Sequence, residues 1–170
     1  MKIAEISTLL KRELYQNGYQ YGFYYDGRKF SPDFSNGFDK EFFNLQKKFY
    51  RIQDPQDTMK EKIGTCIDAV IVMKTILDEL NVPSKIWLLH HSAKKTSHTI
   101  LTFEAEEKLV YLELTPQSNK PWYGKELLYE NEHSFVDSFQ RDNFTIIEIT
   151  NQKIIGSHPD SLLQHLPQQY

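Results

Sequence analysis

The sequence predicts an α+β domain in which helices and a cysteine-bearing helix pack on an antiparallel sheet. Three observations carry that expectation. Apolar residues recur at helical spacing in residues 3–16 and again in 39–52. Ile67, Val70, Ile71, Met73, Ile76, Leu77 and Leu80 then keep a helical period with few polar interruptions, as a nearly buried helix does. Three short runs rich in apolar and β-branched residues, 85–90, 98–103 and 109–115, follow with brief polar connections.

Each element has its own signal. Ile3, Ile6, Leu9, Leu10 and Leu14 predict a first helix that stops at Asn17-Gly18. In 19–30, Asp26-Gly27 between aromatic residues predicts a hairpin, whose tyrosines either line the core or form a groove for a ligand. Phe42, Phe43, Leu45, Phe49 and Tyr50 mark a second amphipathic helix over 39–52, with Lys47-Lys48 on its solvated face. Residues 53–62 are polar, and Asp54-Pro55 reads as a turn. Thr65 is the expected cap of the long helix, with Asp68 where the helix dipole favours an acid. Asn81-Val82-Pro83 ends that helix. A helix over 132–140 capped by Asn131, a strand over 143–150 and a closing helix over 158–166 complete the chain. Residues 1–170 read as one domain: a helical N-terminal region over 1–52, a motif-bearing core over 60–117 and a C-terminal region over 118–170.

Composition narrows the function. Twenty basic residues against 23 acidic ones give a net charge of −3, which argues against a nucleic-acid partner and leaves no polybasic membrane footprint. One cysteine permits no internal disulfide and fits a reducing compartment. The first residues lack the apolar core of a signal peptide, and no run is long enough to span a membrane, so a cytoplasmic location is expected. No His-x-His or His-x-x-x-His spacing occurs, and neither a metal nor another cofactor is expected.

Two places can carry chemistry. Cys66 opens the buried helix, where unpaired amides and the positive dipole end favour a thiolate. The same amides can donate to an oxyanion. The plainer reading of Cys66 is a small buried apolar residue. The second place is a strand pair. If 98–103 and 109–115 pair through a four-residue loop, 104–107, Ile100 opposes Tyr111 and His98 opposes Glu113. Directly opposed side chains have Cβ atoms about 4.5–5.5 Å apart. His98 and Glu113 would then form an imidazole–carboxylate pair, the base and its orienter; the plainer reading is a surface pair of little energetic weight. Gly64 permits close approach of a ligand, and with Thr65, Trp122 and Tyr123 it is a candidate for substrate contact.

The order of these words resembles the transglutaminase-like superfamily of papain-type cysteine enzymes. Gly64-Thr65-Cys66-Ile67-Asp68 is similar to its G-x-C-x-[DE] helix start. Leu80-Asn81-Val82-Pro83-Ser84-Lys85 resembles its passage from helix to sheet, His98-Thr99-Ile100-Leu101 its histidine strand, and Tyr111-Leu112-Glu113-Leu114-Thr115-Pro116 its acid strand. The resemblance implies a Cys66 nucleophile, a His98 base and an acid at Glu113, on a helix packed against an antiparallel sheet. Two departures stand out: Glu113 where the family usually has Asp, and Ile100 where a Trp commonly follows the histidine.

A thiolate, an imidazole base and an oxyanion pocket perform acyl transfer through a thioester. The expected activity is hydrolysis of peptide or amide bonds in a peptide, protein or amide substrate. Two alternatives remain open: a non-catalytic peptide- or protein-binding domain on the same fold, and an acyltransferase of the transglutaminase kind.

Overall fold

The run Ile86-Trp87-Leu88-Leu89 is apolar at every position, so both faces of its strand must be covered. The computed structural model, which describes residues 1–116 and 120–166, covers both. Residue 117, the last of the expected motif-bearing core, lies outside the described residues. The elements in chain order are α1 (Ile3–Glu13), β1 (Gln20–Tyr21), β2 (Phe23–Tyr25), β3 (Arg28–Phe30), α2 (Lys40–Phe49), α3 (Pro55–Glu61) and β4 (Ile63–Gly64). There follow α4 (Cys66–Glu79), β5 (Ser84–His91), β6 (Thr96–Ala105), β7 (Lys108–Leu112), β8 (Glu126–Tyr129), α5 (Glu132–Gln140), β9 (Thr145–Glu148) and a terminal 3₁₀ helix (Pro159–His165).

The main sheet runs β8-β7-β6-β5-β9, antiparallel throughout, in keeping with the α+β expectation. Ile86, Leu88, Leu101, Phe103 and Val110 point to one face and share a core with Val70, Val72 and Leu77 of α4 and Ile6 and Leu10 of α1. Trp87, Leu89, Ile100 and Tyr111 point to the other and enclose Phe135 of α5. Helix α4 therefore lies between the sheet and the N-terminal elements, which explains its nearly unbroken apolar character. Val72 and Leu77 are fully buried, each worth about 1.5–3 kcal/mol of transfer free energy, so α4 is a firm base for its first residue.

Several expectations need correction. The β6–β7 turn is Glu106-Glu107 alone, both at positive φ (52° and 60°), as a two-residue type I′ turn requires. The register moves with it: Tyr111 faces Thr102, not Ile100, and Val110 faces Phe103, not Leu101. The shift is two residues. Side chains alternate with period two, so every side chain keeps its face. Asp54-Pro55 starts a helix and not merely a turn: Asp54 Oδ1 accepts from Gln56 N–H at 2.9 Å and Pro55 occupies the first helical position. Strand β8 and the short parallel pair β1–β4 are additions to the expected elements. Residues 1–52 hold three short strands besides their helices; two of them, β2 and β3, form the expected hairpin about Asp26-Gly27. The closing helix is 3₁₀.

Candidate active site

Cys66 is the first residue of α4, so its N–H has no partner one turn back. It is partly exposed, unlike a cysteine used only for packing. Two devices fix it. The first is the parallel ladder that sets Gln20 against Ile63 and Tyr21 against Gly64. The second is Asp68, fully buried two residues along. Its Oδ2 accepts from Thr65 N–H at 2.8 Å and from Tyr50 Oη at 2.9 Å, and its Oδ1 accepts from Gln53 N–H at 2.8 Å. Burial raises the Asp68 pKa to about 6 against the opposing pull of those hydrogen bonds. Asp68 thus ties the strand-like stretch before α3 to the start of α4.

Gly64 serves packing, contrary to its expected role of admitting a ligand. A Cβ there would stand 2.3 Å from Tyr19 Oη and 2.6 Å from Asp68 Cβ. Protein atoms, not open space, meet the missing side chain.

His98 lies on β6 beyond the last β6–β7 pair, Thr102–Tyr111. There β6 is flanked by β5 alone, with His98 facing Leu89. Strand β7 ends at Leu112, and Glu113 turns its carboxylate back to the ring: His98 Nε2 to Glu113 Oε2 is 2.8 Å. An ionised carboxylate only accepts, so Nε2 carries the proton and Nδ1 is the nitrogen left for the sulfur. The His98 side chain is 22% exposed and that of Glu113 is 2% exposed. The imidazole therefore reaches solvent while its carboxylate does not.

The electrostatics follow from that arrangement. Burial alone would lower the His98 pKa. Hydrogen bonding to Cys66 and to Glu113, with the negative charge on each, outweighs burial and raises it to about 10. Burial likewise opposes ionisation of Glu113, but bonds from His98, Tyr111 and Thr115 hold its pKa below the usual value. Tyr111 Oη donates to Glu113 Oε2, and Thr115 N–H donates to Oε1 at 3.2 Å.

Cys66 and His98 open on one cleft of about 420 Å³. Its other walls are Tyr21, Phe43 and Gln46 on one side and Leu162 and Leu163 of the terminal helix on the other. Thr65 lines it as well. Trp122 and Tyr123 do not. Trp122 packs with the Trp87–Phe135 cluster, and Tyr123 lies against Tyr15 with centroids 5.3 Å apart. Their turn bears on the site in another way: Gly124 N–H donates to the Glu113 carbonyl at 2.9 Å and anchors the acid's backbone. Among the described residues, no group of three or more His, Cys, Asp or Glu side chains could hold a metal ion.

Sequence reasoning missed Tyr111, Tyr50, Gln53 and the tail. For Tyr111 a signal existed, because residues two apart on a strand share a face. The others reach the site through tertiary packing alone.

The fold and the cleft define a class: a helix-borne thiol beside a carboxylate-bound imidazole on an antiparallel sheet. The family model described as a transglutaminase-like domain matches residues 15–136, well over half of the sequence, so the chain belongs to the transglutaminase-like family. Among solved structures, Legionella pneumophila LapG is similar at 13% identity, over 95% of this chain and 72% of that one, with a TM-score of 0.48. No curated protein sequence matches. Among the described residues, no helix is long and apolar enough to cross a membrane.

Proposed function

We propose that the protein is a cysteine-dependent acyl-transfer enzyme that hydrolyses peptide or amide bonds in protein substrates. The observation that carries this reading is the 2.8 Å His98–Glu113 pair opening on the same cleft as Cys66. A surface pair of the ordinary kind would have no such neighbour, and a scaffold would have no need of a partly exposed thiol there.

With His98 protonated, Cys66 is the thiolate partner of an imidazolium. Its sulfur attacks the substrate carbonyl carbon, and the C=O π pair moves onto oxygen. The Cys66 N–H, free at the helix start and aligned with the dipole, donates to that oxygen. When the carbonyl re-forms, the C–N bond breaks and the amine leaves with the His98 proton. His98, now neutral, takes a proton from water as the water oxygen attacks the thioester. The acid product leaves and the thiolate–imidazolium pair returns. Throughout, Glu113 fixes the ring's orientation and tautomer.

Intact-mass measurement after incubation with iodoacetamide at mildly acidic pH, and separately with a panel of amide substrates, tests this. Alkylation of Cys66 faster than of free cysteine is expected, with a transient acyl adduct absent from Cys66→Ala. A cysteine no more reactive than the free amino acid would overturn the reading.

A further inference from the structure

Acyl transfer needs a second donor to the developing oxyanion, and the cleft offers few. Thr65 Oγ1 lies 2.8 Å from Tyr50 Oη and 3.4 Å from Asp68 Oδ2, so the threonine proton is engaged within that buried cluster. Ser97 Oγ is engaged with His90 Nδ1 at 2.8 Å. The Gln46 amide donates to Tyr21 Oη at 3.2 Å. A phenol oxygen that accepts one hydrogen bond still has its own proton to give. Among the described residues the Tyr21 proton has no acceptor.

The position of Tyr21 is fixed by short-range geometry. In the β1–β4 ladder it stands against Gly64, two residues before Cys66. Gln20 N–H donates to Lys62 O at 2.9 Å and Gly22 N–H to Gly64 O at 3.0 Å, so the backbone is held on both sides. The ring rests against Phe42, with centroids 6.2 Å apart, and its side chain lines the cleft together with Cys66 and His98.

We propose that the Tyr21 phenol is the second oxyanion donor, a catalytic residue that acts with the Cys66 backbone N–H. The assignment rests on the acyl-transfer reading of the cleft. As the sulfur bonds to carbon and the π pair moves to oxygen, that oxygen accepts from both groups. Collapse returns the pair and expels the leaving group. Tyr21 keeps its proton throughout and acts by hydrogen bonding alone. Burial, then the negative charge of Cys66, raises its pKa to about 12, so the phenol remains a donor across the working range. Gln46 is its positioning residue.

Two probes separate this role from a structural one. Iodoacetamide reacts with the sulfur by displacement at a saturated carbon, and no oxyanion forms. p-Nitrophenyl acetate acylates the sulfur through a tetrahedral oxyanion and releases p-nitrophenolate, leaving S-acetyl-Cys66. In Tyr21→Phe, alkylation is expected to stay at the wild-type rate while acetylation falls on the order of 10²-fold. Gln46→Leu should show a smaller loss of the same selective kind, and Lys48→Met, which removes an exposed cation outside the cleft lining, none. Equal acetylation of Tyr21→Phe and wild type overturns the assignment alone, as does a selective loss in Lys48→Met. Parallel loss of both reactions in Tyr21→Phe assigns Tyr21 to structure and overturns it too. A wild type inert to both probes overturns the reading of the cleft and this assignment with it.

Discussion

The Tyr111 phenol donates to Glu113 Oε2, the same carboxylate oxygen that meets His98 Nε2 at 2.8 Å. One buried oxygen thus carries two donors, and the phenol helps keep the acid ionised where burial opposes it. Tyr111→Phe strands that oxygen with one partner. The variant should lose about 1–3 kcal/mol in urea denaturation. In the same variant the Glu113 pKa should rise and the His98 titration midpoint should fall, read by NMR of the imidazole protons. A midpoint that stays where it is would leave Tyr111 a packing residue only.

His98 has a folded pKa of about 10 against about 6.5 unfolded. Its protonated form therefore contributes stability that is complete below about pH 6.5 and lost as pH rises towards 10. The stability difference between wild type and His98→Gln should be largest near pH 6 and shrink steadily up to pH 10. Since Cys66 is one source of the shift, Cys66→Ala should bring the His98 midpoint down. Chemical denaturation across that range checks the first outcome and NMR titration the second.

The register explains why the acid here is Glu. With Tyr111 opposite Thr102, continuing the pairing puts Ile100, not His98, across from Glu113. The carboxylate must reach diagonally, and the extra methylene supplies the reach. Glu113→Asp withdraws the oxygen by about 1.5 Å, beyond hydrogen-bond distance from a starting value of 2.8 Å. Acylation of Cys66 should then slow by about 10²-fold or more, with the fold intact by circular dichroism. Wild-type rates in this variant would remove Glu113 from the mechanism.

Asp68 has a linkage of the same sign as His98, at lower pH. Burial raises its pKa from 3.8 to about 6, so folding favours the protonated acid. Its contribution is complete below about pH 4 and lost as pH rises through 6, a swing of about 3 kcal/mol. Asp68→Asn should abolish that swing and also leave one of its three donors unsatisfied, because an amide has one acceptor oxygen. Wild type minus variant stability, measured at pH 4 and pH 7, should fall over that interval.

Gly64→Ala places a methyl 2.3 Å from Tyr19 Oη. The expected cost is about 1–3 kcal/mol from overpacking, and the backbone adds no strain because Gly64 is not at positive φ. Tyr19→Phe in the same chain removes the hydroxyl that clashes and should recover part of the loss. The urea midpoints of the single and double variants decide it.

Much of this architecture is legible in residue order. Thr65, Cys66 and Asp68 mark the start of α4, and the apolar run behind them marks the burial of its first two turns. Asn131 caps α5 as expected, its Oδ1 accepting from Ser134 N–H at 2.9 Å. The pairing of His98 with Glu113 survives a four-residue loop that the structure replaces with two, because an error of two residues leaves both side chains on one face. The loop itself is hidden: Glu106-Glu107 adopts a turn for which Asn-Gly is the usual mark.

What the sequence by itself determined is therefore the thiol at a helix start, the antiparallel pairing of the strands that carry imidazole and carboxylate, and the face those two groups share. Those follow from periodicity and capping, which act between residues a few positions apart. Only the tertiary structure decided that Tyr50 and Gln53 surround Asp68, that Tyr21 shares a cleft with Cys66, and that Leu162 and Leu163 line its far side. These groups lie far apart along the chain. They meet because buried donors and acceptors must find partners and apolar faces must be covered, conditions that hold for the folded chain as a whole and leave no mark on any short stretch of it.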